Sequence, residues 1–186
     1  MEVDGANAKI FSPLLDFLEL RTLVITDLDA VKMGENGRYV KCPYSQGERS
    51  LNTTLRDWFK LKDGEGLSLD LLKVKTPEDK VQGYRRVAYQ IHEDKSEFCA
   101  RTYEDAFILA NPALFALKGG DHWGDLSFDI AAHMGKVETA LKYGLSEDAW
   151  NVPAYINEGL IWLADSAPLP PTPADPPTDV GIVHGA

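Results

Sequence analysis

Cysteine is scarce: Cys42 and Cys99 are the only two in 186 residues. They form neither a metal-ligand spacing nor a disulfide framework. A reducing cytoplasm is therefore the expected compartment, with both thiols read as small buried groups. No apolar run approaches the roughly 20 residues that a membrane-spanning helix needs. No basic-then-apolar leader opens the chain, and no internal repeat organises it. Positive charge is also short, since 19 Lys and Arg stand against 29 Asp and Glu, a net charge of −10. That balance argues against a free-standing, non-specific nucleic-acid binder, which needs a basic face. It does not exclude a nuclease, because bound cations cancel the charge of metal-binding carboxylates. One local basic enrichment, Lys73, Lys75, Lys80, Arg85 and Arg86, reads either as a solvated hairpin surface or as a concentrated basic patch.

Against these absences one stretch stands out: Leu23-Val24-Ile25-Thr26-Asp27-Leu28-Asp29. A continuous apolar and β-branched run is the pattern of a buried parallel strand. It ends in two carboxylates spaced i, i+2, and open α/β sheets bind ligands at the carboxyl ends of their strands. Unpaired carboxylates are costly to bury, and a hard cation such as Mg²⁺ makes such a pair tolerable. The other reading is purely local, with Asp27 starting a turn and Asp29 capping the next element.

Periodicity sets the expected elements. Residues 2–5 read as the end of a strand, residues 6–20 as a helix with Ile10, Leu14, Phe17 and Leu18 on one face, and residues 21–26 as the next strand. Such a β-α-β unit is expected to be parallel with a right-handed crossover. Residues 30–49 read as loop apart from a short strand at 39–42, and 53–61 as a helix capped by Asn52. Residues 67–74 are expected to include strand and 87–91 to be one. Thr102 is placed to cap a helix to Ala110, with an acid three residues on. An irregular loop over 112–126, a helix over 128–143 ended by Gly144, and a last helix over 154–164 burying Tyr155, Ile156, Leu160 and Leu163 complete the globular part. From Asp165 the prolines at 168, 170, 171, 173, 176 and 177 predict an extended, disordered tail.

The candidate acids are Glu2, Asp4, Asp27, Asp29, Glu104 and Asp105. Adjacent parallel strands lie ~4.8 Å apart, so carboxylates from two strand ends meet over one or two ions. Two ions ~3.5–4 Å apart clamp the attacking and leaving oxygens of a phosphoryl displacement. Lys136 either adds a fixed cation for developing negative charge or is an ordinary helix-surface lysine.

Met1-Glu2-Val3-Asp4-Gly5-Ala6-Asn7-Ala8 followed by Thr26-Asp27-Leu28-Asp29 resembles a Toprim domain. Four later blocks resemble those of the OLD (overcoming lysogenization defect) nucleases in order: residues 50–59, 99–111 with Ala100-Arg101-Thr102-Tyr103-Glu104-Asp105-Ala106-Phe107, 136–141 and 150–163. The resemblance spans about residues 1–164. It implies a Toprim-like, Rossmann-like α/β fold, a mostly parallel sheet flanked by helices with an added helical C-terminal part. The implied units are a catalytic core with inserted loops over 1–126, a helical part over 127–164 packing on it, and the Pro-rich tail over 165–186.

The resemblance further implies a DNA endonuclease using two divalent ions, Mg²⁺ or Mn²⁺. Glu2, Asp4, Asp27, Asp29 and Glu104 would be metal ligands. Asp27, Asp29, Glu2 and Lys136 would carry the catalysis, with Thr26 orienting a ligand or a water. Asp105 reads more simply as a helix-start acid. Two departures stand out: Ala6 occupies the place of a second acid in many relatives, and Thr139 that of a usual Phe. OLD proteins also carry an ABC-type ATPase domain, and this chain has no Gly-x-x-x-x-Gly-Lys-Ser/Thr motif. DNA and such an ATPase domain, supplied elsewhere, are the implied partners; no membrane is, and oligomeric state stays open. Two other readings compete. One is a haloacid-dehalogenase-like phosphohydrolase with Asp27 as nucleophile. The other is a non-catalytic Toprim remnant or interaction module with the Pro-rich tail as a ligand.

Overall fold

The computed structural model of the chain describes residues 5–61, 66–93, 98–118, 122–146 and 149–165. Of the expected first strand at 2–5, Gly5 instead opens a 3₁₀ segment, while residues 2–4, with Glu2 and Asp4, and the tail beyond 165 lie outside the described residues.

The fold is mixed α/β. A 3₁₀ segment, Gly5–Phe11, leads into α1 (Ser12–Leu18). Pro13 sits in the first turn of α1, where its missing N–H costs nothing, and an α-helix running through residues 9–13 would set its ring against a carbonyl. The single helix expected over 6–20 is therefore split. Its supposed core face is exposed: Leu14 at 53 % and Phe17 at 82 %.

β1 (Thr22–Ile25) pairs in parallel with β7 (Arg85–Ala88), Val24 opposite Val87, and β6 (Val81–Gln82) adds to β7 antiparallel. A second sheet has the order β3-β2-β4-β5, from β2 (Ala30–Met33), β3 (Tyr39–Lys41), β4 (Arg49–Ser50) and β5 (Leu67–Ser68), all antiparallel. Among the described residues the only parallel pairing is β1 with β7, so the sheets are mixed where a mostly parallel one was expected. β2 is an unexpected strand within the segment read as loop. Its turn to β3 contains Asn36-Gly37, and Gly37 takes φ +71°, the left-handed backbone such hairpins require.

Six further helices follow, five near expected positions with altered bounds and α3 within the segment expected to include strand. α2 (Thr53–Trp58) is capped by Asn52, whose side chain accepts from Leu55 N. α3 (Leu69–Lys73) follows β5, and α4 (Tyr103–Ala110) opens with a capping box between Thr102 and Asp105. The helix expected over 128–143 is two, α5 (Trp123–Ala131) and α6 (Lys136–Gly144). Gly135 in extended backbone (ψ 117°) breaks it, serving as the N-cap of α6. α7 (Ala154–Ala164) begins after Pro153 as expected.

Alternation along β7 sends side chains to two faces. Val87 and Tyr89 join Leu28, Leu55, Trp58, Leu67 and Leu72 in one core, against α2, α3 and the second sheet. Ala88 joins Ala106, Leu109 and Tyr155 in the other, against α4 and α7. α7 buries Tyr155 and Gly159, but Leu160 and Leu163 face out at 45 % and 37 %, contrary to expectation. Cys42 and Cys99 are free and buried. Among the described residues no helix is long and apolar enough to cross a membrane.

Candidate functional site

The segment after β1 is held by three buried polar side chains from three distant places. Thr26 N still donates to Ala88 O at 3.0 Å, extending the parallel ladder. Asn52, the α2 cap, donates from Nδ2 to Thr26 Oγ1 and to the Asp27 carbonyl, each at 2.8 Å. Gln90, just past β7, accepts from Leu28 N through Oε1 and donates from Nε2 to Asp27 Oδ1, each at 2.7 Å. Arg101, just before α4, accepts from Asp29 N on its carbonyl and donates from Nε to Ala30 O. Every backbone group this turn leaves unpaired would cost free energy in so buried a place, which is why Asn52, Gln90 and Arg101 are polar there. Asp29 takes φ +51°, a left-handed conformation that Asp tolerates better than most residues, and the chain turns there into β2.

The aspartates consequently part company. Asp27 is largely enclosed and lines a cavity of about 410 Å³ together with Glu104 and Lys136. Asp29 instead turns its carboxylate to Arg101, with Nη2 to Oδ1 at 3.1 Å. Asp105 is engaged with the start of α4, accepting from Arg101 N, Thr102 N and Thr102 Oγ1 at 2.6–2.7 Å. Its role is the helix-start one. Thr26 touches the site through Asn52 alone. Glu104 and Lys136, thirty-two positions apart, meet with Nζ to Oε1 at 3.3 Å, the lysine being 81 % exposed and the glutamate 12 %. Lys136 is the first residue of α6, so the break at Gly135 is what aims it here.

The electrostatics follow from this geometry. Burial pushes the Asp27 carboxyl up to about 6; the Gln90 bond opposes this, while Asp29, Glu104 and Asp105 add to it. Burial also works to raise Glu104. Its own backbone N–H, the Thr102 hydroxyl and the Lys136 ammonium outweigh that and hold it below the usual carboxylate range. Burial raises Asp105 despite the donors from residues 101 and 102.

Among the described residues no three Asp, Glu, His or Cys side chains are grouped closely enough to hold an ion by themselves. Asp27 and Glu104 nonetheless suit a hard cation. Mg²⁺ is commonly held by one or two carboxylates, its other positions going to water and substrate phosphate. A crowded, partly desolvated acid pair is also what such a cation relieves. Gln90, Asn52 and Arg101 as supports of Asp27 and Asp29 were not foreseen. The available signals were a polar residue closing an apolar strand and an arginine just before a helix cap. Comparison of the chain with protein-family models, with curated proteins and with solved structures gave no match.

Proposed function

We propose that the chain is a metal-dependent phosphodiesterase acting on DNA, of the kind that its resemblance to OLD-type Toprim nucleases implies. The observation that carries this reading is the shared cavity of Asp27, Glu104 and Lys136, which come from a strand end and two helix starts. Two acids and an exposed cation at the carboxyl end of a parallel strand pair fit phosphoryl transfer. Asp27 and Glu104 would hold a divalent ion, Mg²⁺ or Mn²⁺; a second ion would draw on Glu2 or Asp4. When bound, such an ion polarises the phosphodiester and acidifies a water. Gln90 holds one oxygen of the Asp27 carboxylate, and Asp27 lines the cavity. Lys136 is exposed enough to leave Glu104 and meet charge developing on the phosphate. Asp29, held by Arg101, acts in this scheme by fixing the turn that presents Asp27.

The test is plasmid cleavage with Mg²⁺, Mn²⁺ or Ca²⁺ by the wild-type chain, Asp27→Ala and Lys136→Ala. The expected result is cleavage with Mg²⁺ or Mn²⁺ by wild type, none detectable by Asp27→Ala, and a loss of about 10²-fold in Lys136→Ala. Equal activity in all three proteins, or none in wild type, overturns the proposal. A fluoroberyllate adduct on Asp27 would replace it with the phosphohydrolase, in which that carboxylate is the nucleophile.

A further inference from the structure

The cavity that holds Asp27, Glu104 and Lys136 at one end is aromatic at the other. Phe107 and Tyr143, both buried, form its floor with ring centroids 5.0 Å apart. Tyr103 and Trp150 stand at the rim, 41 % and 39 % exposed. Tyr103 lies stacked on Phe107 at an interplanar angle of 27°, and Trp150 meets Phe107 edge-on at 5.6 Å. The indole is fixed in direction, because its N–H donates to the Tyr143 carbonyl at 3.0 Å. The next residue is fixed as well. Asn151 N donates to Asn111 Oδ1 at 2.6 Å, and Asn111 Nδ2 donates back to Asn151 O at 2.9 Å. Trp150 is thus a rigid wall tied to the end of α4, with part of its surface open.

A ligand for this cavity needs a flat apolar part and, a short distance away, an anionic part suited to a lysine and a cation. A nucleotide has that shape. The volume of about 410 Å³ lies within the range of small-molecule sites, which starts near ~300 Å³. Three residues of the basic enrichment at 73–86 are engaged by acids of the protein itself. Arg86 and Lys80 pair with Glu158, and Arg85 pairs with Asp16. With a net charge of −10, affinity for nucleic acid is expected to come from stacking more than from charge.

We propose that the cavity between α4, α6 and Trp150 receives one unstacked base of a DNA strand whose adjoining phosphate lies at Asp27, Glu104 and Lys136. The chain is then selective for single-stranded or frayed DNA over intact duplex. The inference rests on the phosphodiesterase reading for the phosphate end only; the aromatic end is independent of it.

The experiment uses the full chain with Ca²⁺ at low ionic strength. Binding of a short labelled oligothymidylate is compared with that of a fully abasic strand of equal length and charge. The base-bearing strand is expected to bind about tenfold more tightly, the worth of one base–aromatic stack. Trp150→Ala and the rim variant Tyr103→Ala are each expected to bring it down toward the abasic value while leaving abasic binding unchanged. Trp150→Phe keeps most of the difference. Equal binding of the two strands, no binding of either, or equal losses for both strands in the variants overturns the proposal. Repeating the measurement with Mn²⁺ separates the two readings. Equal cleavage of both strands ends the base site and keeps the nuclease. Selective binding with no cleavage of either strand keeps the base site and ends the nuclease.

Discussion

Asp27 shows what a supporting shell does to one side chain. Gln90 donates to one of its oxygens, and burial together with Asp29, Glu104 and Asp105 pushes its carboxyl up to about 6, well above the usual aspartate range. The native state therefore binds a proton more tightly than the unfolded chain does. Stability is unaffected while both states are protonated, falls as pH rises from about 4 to about 6, and keeps the full cost above that. Allowing for the partial exposure of the group, the cost at pH 8 is on the order of 2 kcal/mol. Asp27→Asn keeps an acceptor for Gln90 and removes the charge. It is expected to raise the melting temperature at pH 8 by roughly 5 °C and to leave it unchanged at pH 4. Added Mg²⁺ is expected to stabilise wild type and not the variant. Thermal melts with and without Mg²⁺ at the two pH values measure this, and a pH-independent difference would remove the charge argument. The importance of Asp27 was legible in the sequence because an apolar run cannot end in acids without cause. The diverging fate of Asp29 was not, since it depends on Arg101, which sits seventy-two positions away and reaches Asp29 only through the fold.

Elements with a local cause were legible, and those decided by packing were not. Asn52 and the pair Thr102–Asp105 mark the starts of α2 and α4 because caps are set within four residues. The break between α5 and α6 was missed because the residues around Gly135 continue an apolar period. The hairpin of β2 and β3 was overlooked despite its Asn36-Gly37 turn. α7 shows the limit of periodicity. Its buried stripe is decided at Gly159, where an added Cβ would lie 2.8 and 2.9 Å from the two methyls of Leu23 and 3.4 Å from the Ala88 Cβ. The helix approaches β1 and β7 along that line, which turns Leu160 outward. Gly159→Ala is expected to be nearly neutral, as the gain of about 1 kcal/mol in helix propensity offsets a shift of the Leu23 methyls. Gly159→Leu has no such room. It is expected to cost about 2 kcal/mol, near the middle of the overpacking range, and to lower the melting temperature by roughly 5 °C. Denaturation curves of both variants test the approach, and a neutral Gly159→Leu would contradict it.

At the scale of the molecule, charge decides how such a protein meets DNA. The chain carries −10 overall, and four of the five residues of the basic enrichment at 73–86 make ion pairs or ring contacts within the protein. Arg86 and Lys80 are buried against Glu158, Arg85 lies over the Trp58 ring at 5.3 Å, and Lys75 lies over Phe59 at 5.0 Å. The two readings of that enrichment, solvated hairpin or basic patch, both give way to internal pairing. Lys73 alone among the five has no ion pair or ring contact with the described residues, and a single lysine does not track a backbone. Single-stranded DNA releases about 0.7 counterions per neutralised phosphate, so contact through Lys136 and the acid site alone corresponds to one or two phosphates. A plot of log affinity against log salt, measured at constant Ca²⁺, is therefore expected to have a slope of magnitude below about 2. Lys73→Ala and Lys75→Ala are expected to leave that slope unchanged, and Lys136→Ala to lower it by about 0.7. A slope of about 4 or steeper would require phosphate contacts well beyond Lys136. It would move the origin of affinity from stacking at Tyr103 and Trp150 to the phosphate backbone.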